Sequence, residues 1–282
     1  MSSISEYLFK TDAVKICPEN QPFWYTSGKI GPYYINAHFI YGDETQANNL
    51  LSIIDKTQDK EELPKIILAE ELAHYNERRI YKDVIDQTVE FVKSNINLDE
   101  IDYISGGERR DWFFSNILAY MLEKPHISIF KDLSSVIHDS SFSKTLDITD
   151  LGGAKVLHVA DLITEAVSYT RAWVPAIKSL NGQMTHSVAM VDRLQGGAEA
   201  LAGEGVMALA IVNIDRNLFL KALEMSVINN EQLNMLNDYT SDPDGTMKKF
   251  IEAHPEFLET ALKADEKTAA RAQLCIDSKF YE

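Results

Sequence analysis

Val156-Leu157-His158-Val159-Ala160-Asp161-Leu162-Ile163-Thr164-Glu165-Ala166-Val167-Ser168 begins as an apolar run of strand length and ends in an acid and a polar turn. A helical pattern follows over residues 166–180, interrupted at Pro175. Working outward, residues 187–192 and 208–212 are two further short apolar strands. Upstream, residues 101–105 form a β-like run that stops at Gly106-Gly107, a helix is expected over 115–123, and residues 127–130 read as another strand. Strands separated by helices of this length pair in parallel through right-handed crossovers. The expectation is an α/β fold, a mostly parallel sheet covered by helices on both faces.

The flanks read differently. The first 22 residues suggest a short amphipathic helix and then a loop over 17–22, and residues 23–40 form an aromatic, hairpin-like piece broken at Ser27-Gly28 and Gly31-Pro32. Residues 45–95 turn helical, with one apolar cluster at Leu50, Leu51, Ile53 and Ile54 and another at Val84, Ile85, Thr88, Val89 and Val92. Glu61-Glu62 and Glu70-Glu71 read as solvated helix faces. The Ser-rich stretch 132–149 reads as a mobile loop. After Asn213 the strands stop, and helices are expected over 219–225, 230–236, 246–253 and 255–275, with a turn at 241–245. These boundaries divide the chain into a domain of residues 1–214, carrying a helical insert at about 45–95, and a helical C-terminal extension of residues 215–282.

Composition narrows the partners. A net charge of -16 over 282 residues argues against a nucleic-acid or anionic-membrane surface, since phosphates reward Lys and Arg. No window approaches the roughly 20 apolar residues of a membrane span. Cys17 and Cys275, far apart in sequence, read as reduced thiols of a cytoplasmic protein. The histidines show no metal-ligand spacing, and no P-loop or Gly-x-Ser-x-Gly pattern occurs.

Three strand ends are chemically unusual: Ser105-Gly106-Gly107-Glu108-Arg109-Arg110-Asp111, the 156–168 stretch, and Val191-Asp192-Arg193-Leu194-Gln195-Gly196-Gly197. With Ser27-Gly28-Lys29-Ile30-Gly31-Pro32-Tyr33-Tyr34 near the start, they stand in the order found in the orotate phosphoribosyltransferases, which this chain resembles over roughly residues 5–214. That family carries a Val-Asp-Arg-x-x-Gly-Gly run and an N-terminal hood with a Ser-Gly-x-x-Ser-Pro-aromatic-aromatic pattern. The resemblance implies a type I phosphoribosyltransferase fold. It also implies transfer of ribose 5-phosphate from 5-phosphoribosyl 1-diphosphate with Mg²⁺ onto a pyrimidine-like base, and a homodimer.

By the same resemblance Asp161 faces the ribose, Thr164 and Ser168 belong to the substrate-binding turn, Arg193 meets the base carboxylate, and Tyr33 and Tyr34 stack near base and ribose. Lys131 and His138 would be remnants of the family's catalytic loop cations, and Lys144 a further candidate. Arg109 and Arg110 either bind an oxyanion or face solvent, partnered by Glu108 and Asp111; the sequence slightly favours the second.

The departures are concentrated. The family's two consecutive acids are here Ala160 and Asp161, and its Thr-Thr-Gly-Thr turn is Thr164-Glu165-Ala166-Val167. The loop's Lys-x-x-Lys-Asp-His-Gly is gone, and Thr26 stands at a usual lysine. A carboxylate at Glu165 repels a phosphate. Three functions therefore follow: a transferase if active, a catalytically inactive homologue that binds a base or nucleotide, or a partner-binding protein working through its tail.

Overall fold

Alternation of strand and helix carries through into a six-stranded sheet. The computed structural model describes residues 2–281. Four short strands come first: β1 (Val14–Ile16), β2 (Phe23–Trp24), β3 (Ile30–Gly31) and β4 (Tyr33–Ile35). The sheet is built from β5 (Tyr103–Gly107), β6 (His126–Ile129), β7 (Ser135–His138), β8 (Lys155–Ile163), β9 (Gln183–Asp192) and β10 (Met207–Asn213). Its order is β10-β9-β8-β5-β6-β7, parallel throughout except for β7 at one edge. The chain steps one way from β5 to β6 and the other way from β8 through β9 to β10. The topological switch therefore lies between the carboxyl ends of β5 and β8, the place where open α/β sheets bind ligands.

β8 is longer than its apolar run. β8 continues past Asp161 because the ladder to β9 continues, pairing Leu162 with Val191 and Ile163 with Asp192. Asp161 interrupts the apolar pattern yet is itself buried. The helix Trp112–Met121 that follows β5 is buried over every residue from Trp112 to Ala119. A helix apolar on all sides needs cover on all sides. The sheet covers one face, and the helices Leu63–Glu77 and Arg79–Asn95 contact the helix as well. The stretch 45–95, with a further helix at Glu44–Lys56, is thus a packing layer of the domain. Ile67, Tyr81, Val84, Ile85 and Val92 are fully buried within it, each contributing about 1.5–3 kcal/mol.

Glu71 departs from the reading of Glu70-Glu71 as a solvated face. It is fully buried, and neither carboxyl oxygen makes a hydrogen bond among the described residues. Burial holds its carboxyl well above the usual range, with the Ile117 backbone acting the other way.

The stretch 132–149 is an ordered hairpin. β7 pairs antiparallel with β6, His138 bridges to Thr145, and Phe142 is buried and stacked on the His138 ring. The 45–95 layer holds it from outside. Lys60 bonds Asp132 and Ser134 at 2.5 and 2.8 Å, and the Glu61 carbonyl lies 2.9 Å from His138 Nε2.

The chain forms two compact units, Met1–Ala13 with Ala37–Ile214, and Val14–Asn36 with Asp215–Glu282. In the second unit β1 pairs with β4 and β2 with β3, both antiparallel. Five helices accompany them: Arg216–Glu224, Asn230–Ser241, Pro243–Ala253, Glu256–Leu262 and Glu266–Asp277. The single helix expected over 255–275 is therefore two, because Asp265 breaks it by capping the N–H groups of Lys267 and Thr268.

The tail and the N-terminal strands share one core. Tyr33 packs against Phe219 and Tyr239, Trp24 stacks on Phe257, and Lys29 bonds both oxygens of Asp244 at 2.8 Å. Tyr33 is 1% exposed and so is a core residue of this unit, correcting its expected place beside a ligand; Tyr34 is 36% exposed.

Candidate active site

A cleft of about 550 Å³ opens at the switch point. Its walls come from the loop after β5 (Glu108, Arg109, Arg110, Asp111), from Lys131, and from the end of β8 and its turn (Ala160 to Tyr169, with Trp173). Of the residues expected to act together, the cleft gathers Asp161, Lys131, Thr164, Ser168, Arg109 and Arg110.

The floor is tied together by Asp111, a residue the sequence offered only as a charge partner. Its Oδ2 accepts the Gly107 N–H at 3.0 Å, and its Oδ1 accepts the Asp161 N–H at 3.1 Å, joining the ends of β5 and β8. Behind it, His158 Nε2 lies 3.4 Å from Asp111 Oδ2, and His158 Nδ1 lies 2.9 Å from Ser105 Oγ. Burial and the Asp111 carboxylate push the Asp161 carboxyl up to about 7, and the Arg110 guanidinium acts in the opposite direction. Near neutrality the floor therefore holds less negative charge than two free carboxylates. Gly107 is required where it stands, because an added Cβ would lie 2.3 Å from the Trp173 ring.

The turn after β8 runs through a left-handed residue into the start of a helix. Ala166 adopts φ 54°, the left-handed conformation that costs an L-residue roughly 1–2 kcal/mol. The N–H groups of Ala166, Val167 and Ser168 donate to no protein acceptor among the described residues. They stand where a helical segment begins, which continues as a π-turn at Tyr169–Trp173 and an α-helix at Val174–Ser179. Successive unbonded N–H groups at a helix start favour anions. Glu165 sits in the same turn, exposed.

The cations are mostly engaged. Arg109 pairs with Asp55 of the 45–95 layer, a partner different from the Glu108 or Asp111 expected for it. Lys131 pairs with Glu108 at 3.7 Å, and its backbone N–H donates to the same carboxylate at 2.9 Å. Arg110 is exposed and makes no ion pair among the described residues.

Within the unit that carries the sheet, two expected site residues lie off the cleft wall. His138 is fully buried in β7 with its Nε2 on the Glu61 carbonyl; it does not line the cleft, because the stretch expected as a mobile loop pairs with β6 and packs as a hairpin. Arg193 follows β9, where its backbone N–H bonds Ile163 O at 3.0 Å, and it too is absent from the cleft wall. Asp55, Tyr169 and Trp173 were not foreseen.

No protein-family model matches the chain. Two curated relatives do: the orotate phosphoribosyltransferase of Sulfolobus acidocaldarius is 24% identical over 218 residues, 77% of this chain and 87% of the relative. That of Sulfurisphaera tokodaii is 26% identical over 233 residues, 81% of this chain and 96% of the relative. Among solved structures, orotate phosphoribosyltransferase from Francisella tularensis superposes with a TM-score of 0.51 at 17% identity, covering 84% of this chain and 96% of that one. The fold is that of the type I phosphoribosyltransferases. UMP synthase of Leishmania donovani gives a TM-score of 0.57 at 15% identity, with 84% of this chain matching 41% of that longer one. In sequence the chain resembles the orotate phosphoribosyltransferases. No helix among the described residues is long and apolar enough to cross a membrane.

Proposed function

We propose that this is an orotate phosphoribosyltransferase-like protein whose cleft binds the ribose monophosphate end of a pyrimidine nucleotide, with group transfer lost or strongly reduced. One observation carries the reading: Ala166, Val167 and Ser168 line the cleft, and their backbone N–H groups donate to no protein acceptor among the described residues. A monoester phosphate there meets three donors, and the sugar hydroxyls meet Asp161 on the floor. The similarity to curated orotate phosphoribosyltransferases supports a pyrimidine as the base.

Loss of transfer follows from the cations. Departure of pyrophosphate needs positive charge already placed where negative charge develops. Lys131 and Arg109 are each held by a carboxylate, and His138 is walled into the hairpin. Mg²⁺ enters only with a diphosphate donor. Among the described residues no group of three or more His, Cys, Asp or Glu side chains is placed to hold a metal, and Mg²⁺ is commonly held by one or two carboxylates together with substrate phosphates.

A second reading, an active transferase, is favoured by Arg110, which is exposed at the cleft without an ion pair. Calorimetric titration with uridine 5′-monophosphate separates the two, together with a pyrophosphate-release assay using phosphoribosyl diphosphate, Mg²⁺ and orotate. Binding of the monophosphate without release is the expected result. Release at an ordinary enzymatic rate establishes the second reading, and failure to bind the monophosphate removes the first.

A further inference from the structure

The cleft wall contains three cations, and its charge balance is set from outside it. Arg109 reaches Asp55 on the helix Glu44–Lys56, while Lys131 is held by Glu108. Both members of the first pair are accessible, Arg109 at 31% and Asp55 at 49% of their side-chain surface. The pair is therefore solvated, and an anion can compete for the guanidinium. With the Lys131–Glu108 pair set aside, the remaining wall holds Asp111, Asp161 and Glu165 against Arg110 alone. A phosphate monoester brings about two negative charges and needs only the turn's N–H groups and one guanidinium. A diphosphate brings about three, over a longer span, and needs a second cation that the wall does not free.

We propose that Asp55 is a specificity-determining residue, which by occupying Arg109 makes the cleft select phosphate monoesters over diphosphates. The guanidinium matches a phosphate edge in the same bidentate manner as it matches a carboxylate, so the two compete for one set of donors. Loss of the Asp55 charge frees Arg109 beside Arg110 and creates a two-guanidinium seat for a diphosphate. This inference deepens and rests on the nucleotide-binding reading of the cleft; its own claim, that Asp55 holds back diphosphate binding, is measured with inorganic pyrophosphate, which contains no base or sugar.

The test is titration of the full chain, wild type and Asp55→Asn, with inorganic pyrophosphate and separately with uridine 5′-monophosphate. Glu44→Gln, on the same helix, is the control that removes one charge at a different place. Asp55→Asn is expected to tighten pyrophosphate binding about tenfold, to change monophosphate binding by no more than about twofold, and to lose much of its gain in high salt. Glu44→Gln is expected to leave both affinities in place.

Unchanged pyrophosphate affinity in Asp55→Asn overturns the proposal. So does an equal gain for both ligands, or the same gain in Glu44→Gln, since each signals a general charge effect. If the wild type binds no monophosphate, the nucleotide reading fails. The selectivity claim then falls too, even where the pyrophosphate gain establishes Asp55 as a brake on anion binding.

Discussion

Replacing Glu71 with Gln tests the packing of the 45–95 layer through the pH dependence of stability. Glu71 is fully buried, lacks a hydrogen-bond partner for either oxygen among the described residues, and has its carboxyl held well above the usual range by burial. The folded protein therefore keeps a proton that the unfolded chain gives up at an ordinary glutamate value near 4.5. Below that value the carboxyl is neutral in both states and costs nothing in ionisation. Above it, stability is lost by about 1.4 kcal/mol per pH unit for as long as the folded carboxyl stays protonated. Between pH 5 and pH 8 the loss reaches at most about 4 kcal/mol.

Glutamine has the same shape and no such proton. Urea unfolding of wild type and Glu71→Gln at pH 5, 6, 7 and 8 should give nearly equal stabilities at pH 5, with the variant gaining as pH rises. Other groups titrate in both proteins, and the difference between the two curves isolates Glu71. Parallel curves across this range refute the reasoning, because they mean that Glu71 is ionised in the folded state or reaches water.

Three further expectations follow from the structure. Glu165→Gln should tighten uridine monophosphate binding about tenfold at low salt, since one carboxylate and a dianion some 7 Å apart in water-like surroundings repel by roughly 1 kcal/mol or more; the same affinity at low and high salt in both proteins would contradict it. Tyr33→Ala should destabilise the unit of β1–β4 and the tail by about 3–5 kcal/mol in denaturant melts, as for other buried aromatics, whereas Tyr34→Ala should shift them by less than about 1 kcal/mol; equal effects would mean that Tyr33 is not the core residue. Gly197→Ala should lower stability by about 1–3 kcal/mol, because its Cβ would lie 2.3 Å from Ile163 Cγ2 and 2.6 Å from the Thr164 carbonyl; an unchanged melting temperature would show that the turn yields freely.

The sheet was legible in the sequence because buried parallel strands are short apolar runs, and those at 101–105, 127–130, 155–159, 187–192 and 208–212 are the ones that pair. The cleft was legible for the same reason, since ligand residues follow such strands. What escaped was set by distance in the chain. Asp55 meets Arg109 across 54 residues, and Asp111 meets the Asp161 N–H across 50; neither leaves a local pattern. The hairpin at 132–149 was hidden by its polarity, with Ile137 and Phe142 the apolar side chains buried there. Tyr33 looked like a site residue because Ser27-Gly28 and Pro32 keep the motif around it, yet its environment is decided by Phe219 and Tyr239 in the tail.

The fixed hairpin has a consequence in time. With β7 paired to β6, and with Lys60 and Glu61 bonded to it from the helical layer, folding this hairpin over a bound molecule would cost those bonds. A ligand arriving at an ordinary rate of about 10⁶ M⁻¹s⁻¹ and held at micromolar strength leaves again in about a second. Occupancy then follows the surrounding concentration almost without delay. If the cleft binds a nucleotide as proposed, it reports how much is present at each moment, where a closing one would store it.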